Sequence, residues 1–328
     1  MSERSSKSQR IQIGWETAFN TVAVATRRLQ ALTVDFESQA SRMRNFAQGY
    51  NFPSSTSFER DFTEGDLGGA LMFDEVIVPL SMALGAVTPT AGTPVAAMTW
   101  LWNIPLSGDI VPKSATIEKG DVAYGERVKG AVATDLEIGW TREEVTIGGS
   151  ILATEQDLAA TLATAGVTAY PQVPMNPSGI GIWIDSTSAA LGTSRQLRTF
   201  EGGFSLGGLY QGLWPLNELK PSHDGIISLQ PESEATALMM ANAAGKAQMT
   251  ALKAGTRQFM RWAIKGPQIG AGPATYLFQV DMAVEVVDVD QQGDSDGIYA
   301  FPFTFAPVAD ETWGSAMKIT VVNTQTVL

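Results

Sequence analysis

The chain has 328 residues, 44% hydrophobic and 9% aromatic, with no cysteine, one histidine (His223) and a formal net charge of −12. This length admits one large domain or two of about 150 residues each, and the apolar and aromatic content excludes a disordered chain. Without cysteine there are no disulfides or thiolate metal sites. One histidine leaves little room for imidazole chemistry, and the acid excess argues against a general nucleic-acid binder, which needs basic surface.

The N-terminus, MSERSSKSQR, is polar and has no apolar stretch after it, so residues 1–13 read as an arm that orders on assembly rather than as a signal peptide. No run of 18 apolar residues is present, and the expectation is a chain made in a cytoplasm with no membrane partner. Residues 1–45 carry Arg4, Lys7, Arg10, Arg27, Arg28, Arg42 and Arg44 against Glu3, Glu16, Asp35 and Glu37, whereas the rest is strongly acidic. A basic arm could therefore dock on an acidic neighbour.

Residues 13–36 have β texture, with Leu32, Val34 and Phe36 alternating by two. Residues 38–56 are rich in Ser, Arg and Asn and read as a loop. Phe58, Arg60 and Phe62 alternate as a strand. Thr63 and Asp66 form a capping pattern ahead of LGGALMFDEVIVPLSMALG, which predicts a buried helix kinked or broken at Pro79 and stopped at Gly85.

Trp100 and Trp102 share one face of the next strand. The pair AVATDLEIGW and EEVTIGGSIL predicts a hairpin closed at Thr141 and Arg142. Residues 154–178, with Pro171, Pro174 and Pro177, read as a linker. Beyond it come strands from GIGIWID onward, a helix predicted from a Ser233 cap to Gly255, the Trp262 strand, TYLFQVDMAVEVVDVD, a polar turn, IYAFPFTFAPV and a last strand MKITVVN.

The order strand, helix, glycine, tryptophan strand, strand pair occurs twice, about 168 residues apart. Arg27, Leu29, Leu32 and Phe36 align with Arg195, Leu197, Phe200 and Phe204, Gly85 with Gly255, and the Trp102 strand with the Trp262 strand. The expected architecture is mainly β with helices (α+β). It comprises two tandem β-sandwiches, residues 14–153 and 179–328, each flanked by a helix.

No catalytic, metal or cofactor residue stands out. Asp288, Asp290, Asp294 and Asp296 with Gly297 fail the calcium-loop pattern, since the twelfth residue is Tyr299 and the flanks are strands. Glu143 and Glu144 lie at a turn without a partner, and His223 lies in turn chemistry. The glycines of EGGFSLGGLYQG lack a following GK[ST] and suit bulges or close backbone approach. The tryptophans read as core.

Two stretches, TIEKGDVAYGERVKGAVATDLEIGWTREEVTIGGSIL and YLFQVDMAVEVVDVDQQGDSDGIYAFPFTFAPVADETWGSAMKITVVN, carry a resemblance. The chain resembles the major tail tube proteins of bacteriophages with long, non-contractile tails, over most of residues 58–323 in pattern. The resemblance implies tube domains that are β-sandwiches with a helix. It implies rings stacked around a lumen lined by β-hairpins, and an acidic wall past which DNA moves.

Relatives of this kind use one domain in hexamers or two fused domains in pseudo-sixfold trimers, and the repeat points to the trimer, with the hexamer as the alternative. The resemblance places the chain in a virion tail, in contact with other tail proteins, with no cofactor. The strand pairs near 128–152 and 276–306 would face the lumen, with Glu137, Glu143, Glu285 and Asp288 as channel-side acids, and residues 38–56 and 106–128 would bridge rings. The rival readings are another virion protein, such as a head decoration or tail terminator, a β-sandwich carbohydrate-binding module or hydrolase, and a soluble monomer.

Overall fold

The computed structural model describes residues 8–121, 124–216, 222–291, 293–295 and 297–328. The first half runs β1 (Arg10–Trp15), β2 (Arg27–Leu29), β3 (Leu32–Asn45), β4 (Ser55–Ala70), α1 (Ile77–Leu84), β5 (Thr90–Ala91), β6 (Met98–Asn103), β7 (Ala115–Gly120), β8 (Gly125–Trp140), β9 (Val145–Ala153) and β10 (Gln156–Asp157). Then follow β11 (Thr168–Ala169), β12 (Ile180–Asp185), β13 (Arg195–Gln196), β14 (Thr199–Gly207), β15 (Tyr210–Leu213), β16 (Gly225–Ser228) and β17 (Glu232–Met240). The chain ends with α2 (Ala243–Ala254), β18 (Gln258–Gln268), β19 (Thr275–Val289), β20 (Gly293–Ser295), β21 (Ile298–Pro307) and β22 (Met317–Asn323).

The expectation of an α+β chain with two sandwiches, each flanked by a helix, is corrected here. The structure is 53% strand and 9% helical, a mainly-β fold. Twenty strands join in one sheet, antiparallel except for the short β2–β11 pair, and β15 and β16 form a separate two-stranded sheet. The reason is a joint between the halves: residues 136–140 of β8 pair with residues 202–206 of β14. Backbone bonding continues across the repeat, so the apolar faces merge into one core instead of closing separately. Trp140 meets Trp262 edge-on at 4.1 Å across this joint, and burying one such ring contributes roughly 4–6 kcal/mol.

Within this sheet the same pairing order occurs twice. In the first half it runs β2-β1-β7-β8-β9-β4-β3. In the second it runs β13-β12-β18-β19-β21-β17-β14. The counterpart of the Trp262 strand is thus β7, not the Trp102 strand, because β6 pairs with β22 at the C-terminus.

Both helices are shorter than their patterns predicted. Residues 63–70 continue β4 because Leu67 faces the core while Glu64 and Asp66 face out, a period of two. α1 begins only at Ile77, and Pro79 sits in its first turn, where a missing N–H breaks no helical bond. In the second half, Ala235, Ala237 and Met239 face inward from β17 while Glu234 and Thr236 face out. α2 is capped by the Asn242 side chain, which accepts from the N–H groups of Ala244 and Gly245, and it ends at a left-handed Gly255.

Buried polar groups tie distant segments together. The Glu75 carboxylate accepts from the backbone N–H groups of Gln30, Ala31 and Leu32 and from Gln172. Trp100 Nε1 donates to Asn323 Oδ1 at 2.9 Å, and Asp74 accepts from Thr324 and Gln325, which clamps the C-terminus beside α1. Residues 154–178 are packed rather than free, with Leu162, Tyr170 and Met175 buried. Most of the expected arm, residues 1–7, lies outside the described residues, and its last part is β1.

Candidate functional site: an acidic sheet face with two open edges

Eight strands run side by side in the order β3-β4-β9-β8-β14-β17-β21-β19. One face packs on the core through Val34, Leu67, Ile147, Ile138, Phe204, Ala235, Phe305 and Val286. Alternation puts the intervening residues on the other face. There Asp35 stands opposite Asp66 and Glu37 opposite Glu64. Glu137 lies between Gly148 and Ser205, Ser205 pairs with Glu234, and Thr304 separates Thr236 from Asp288.

No Lys or Arg occurs in the segments that form this face: 32–37, 63–70, 133–140, 145–153, 199–207, 232–240, 284–289 and 300–307. Two of its carboxylates are met by cations from outside. Lys119 of β7 pairs with Asp35, and Arg257 Nε lies 3.9 Å from Glu285 Oε1. Like charges placed directly opposite each other destabilise a strand pair by a few tenths of a kcal/mol. The Glu37–Glu64 pair thus costs local stability, whereas Lys119 offsets the repulsion between Asp35 and Asp66. A trough of about 800 Å³ opens over this region, lined by Asp35, Glu37, Glu64, Asp66 and Asp135, with Trp214 and the Arg60 guanidinium stacked on it also in the lining.

This eight-strand row ends in two unpaired edges among the described residues. β3 pairs only with β4, and residues 285–289 of β19 pair only with β21, because β18 begins at Gln258, opposite Val284, and does not reach them. By the pairing order these are the same two strand types that meet at the β8–β14 joint. At that joint the backbones come close. A Cβ on Gly203 would lie 2.9 Å from Ile138 O of β8, and on the other side of β14 one on Gly202 would lie 2.6 Å from Thr236 O of β17. The EGGF glycines therefore serve backbone approach.

Of the acids singled out in the sequence, Glu137, Glu285 and Asp288 lie on this face. Glu137 and Asp288 are exposed and Glu285 is half-buried. Glu143 does not join them. It sits in the β8–β9 turn, where its N–H donates to Thr141 Oγ1. Asp35, Glu37, Glu64, Asp66, Asp135, Glu201 and Glu234 escaped the sequence reading. Their signal was an acid at every second residue between core residues, hidden where the flanking runs read as loop or helix.

His223 is fully buried against Phe19 and Trp214, and burial pushes its pKa down to about 4. Trp100, Trp102, Trp140 and Trp262 are all core residues, so none offers a face to a sugar. Of the acidic turn, Asp296 and the side chain of Asp294 lie outside the described residues. Among the described residues no group of three or more His, Asp or Glu could hold a metal ion. Among the described residues no helix is long and apolar enough to cross a membrane.

No family model matches the chain, and no curated protein matches its sequence.

Proposed function

We propose that the chain is a self-assembling structural protein of a virion, the tail tube subunit of a long-tailed bacteriophage. In this reading its copies join edge to edge into rings, and the rings stack into a tube that carries DNA. The observation that carries this reading is the β8–β14 joint. It joins two strand types within one chain and leaves one of each unpaired at the ends of the eight-strand row. An unpaired edge is a liability that a second copy relieves by strand addition, and a head-to-tail contact of this kind forms a ring when its rotation divides the circle.

The acidic face supports the second half of the reading. A wall on which carboxylates outnumber the few cations that reach it repels phosphates within about 8–10 Å, the Debye length at moderate salt, so a DNA duplex slides instead of adhering. Two repeats per chain favour a trimeric ring with pseudo-sixfold symmetry over a hexamer.

Negative-stain microscopy of the concentrated pure protein tests this. Hollow tubes or rings with threefold averages are expected. A monodisperse monomer at every concentration and salt, by light scattering, would overturn it.

A further inference from the structure

The β3–β4 hairpin is longer than the sheet it belongs to. β4 pairs with β9 only over residues 63–70, so residues 39–45 and 55–62 pair with each other alone. They project as a two-stranded ribbon of about 24 Å. Such a ribbon is marginally stable in water by itself. Its end exposes Met43, Phe46, Tyr50 and Phe52, the last at 80%. It also exposes Arg42 and Arg44, and residues 38–57 contain no carboxylate, in a chain of net charge −12. An apolar, cationic tip on an acidic protein calls for an acidic, apolar counterpart.

The chain carries such a counterpart at the opposite end of the same sheet. The registers run Asn45 at one end through Ala70, Thr146 and Gly139 to the other, where Met239 and Met240 meet Phe301 and Ala300. The β19–β21 hairpin therefore ends opposite the ribbon. It exposes Val287, Ile298 and Tyr299, together with Asp288 and Asp290. Arg142, Arg195 and Arg198 share that end, but they line a separate hollow beside Trp140 and Ile180.

We infer that the ribbon tip of one copy docks on the β19–β21 end of a second copy, head to tail along the strand direction. Phe46, Tyr50 and Phe52 pack on Val287, Ile298 and Tyr299, and Arg42 and Arg44 face Asp288 and Asp290. The contact is heterologous and lies along the strands, so it propagates without closing. It deepens the proposed function and rests on its premise that copies associate, while naming a contact separate from the edge joint.

Because the chain has no native cysteine, the contact can be tested by cross-linking. Differently tagged full-length Asn51→Cys and Tyr299→Cys proteins are mixed and oxidised, with Asn51→Cys plus Thr90→Cys as the control. The inferred contact predicts a mixed disulfide in the first mixture and not in the control. Adding Arg42→Glu/Arg44→Glu to the first protein lowers its yield about tenfold or more, as charge pairs become repulsive. Adding Asp288→Lys/Asp290→Lys to the second protein then restores it. All seven substituted positions are exposed, so the core stays intact. Equal yields in test and control, or a yield indifferent to both reversals, overturns the inference even where microscopy shows tubes. Specific cross-linking without rings or tubes sinks the proposed function and leaves this contact standing.

Discussion

At the residue scale, two buried titratable groups both lose stability as pH falls, in different pH windows, because folding lowers the pKa of each. His223 is the only histidine, and burial holds its folded pKa near 4 against an ordinary value of about 6.5. Between those values the unfolded chain takes up a proton that the folded chain refuses. Stability therefore falls as pH drops through this window, by up to about 1.4 kcal/mol per pH unit. Urea titrations at pH 6.5, 5.5 and 5 are expected to show that slope in the native protein and a flat response in His223→Phe.

Asp185 acts in the same sense at lower pH. Burial by itself raises this carboxyl, but hydrogen bonds from Ser194, Thr193 and Gly192 outweigh it and hold it below its ordinary value. Its contribution is present above an unfolded pKa of about 3.9 and lost as pH falls through the lower folded value. Asp185→Asn should cost about 1–3 kcal/mol at pH 7. The difference from native protein should shrink below about pH 4, as read by denaturant midpoints.

At the element scale, the decisive feature is the close approach of β8 and β14. Gly203→Val puts a side chain against Ile138 O and should destabilise the fold by about 2–4 kcal/mol. Asn242→Ala, which removes the α2 cap, should cost about 1 kcal/mol, and calorimetry of the two variants checks the ranking. Strand existence was readable: β8, β9, β18, β19, β21 and β22 lie where alternation placed them. Helix starts were not. Residues 63–70 and 232–240 are rich in Gly, Ala, Leu and Met, whose local preference does not separate a buried strand from a buried helix. Cross-strand bonding to β9 and β21 decided them as strands.

At the scale of the whole molecule, the acid face makes a prediction about DNA. Asp66→Lys/Glu137→Lys/Glu234→Lys reverses three exposed charges and removes the Asp35–Asp66 repulsion that Lys119 offsets, so folding should be unimpaired. Gel-shift assays should then show salt-sensitive duplex binding that native protein lacks. Unchanged binding by the triple variant would separate this face from any role toward DNA.

The linear order of residues was enough to reveal the duplication, the acidic character, the lack of cysteine and the single histidine, and the alternation that makes strands. These are local or compositional properties, carried by each segment wherever it ends up. Tertiary structure alone decided that the halves share one sheet. It also decided that Glu137, Glu285 and Asp288 share a face with acids from β3, β4, β14 and β17, and that Glu143 does not. Strand pairing is a contact between residues far apart in the chain. Its register rests on backbone groups that every residue carries, so nothing in a single segment announces its neighbour.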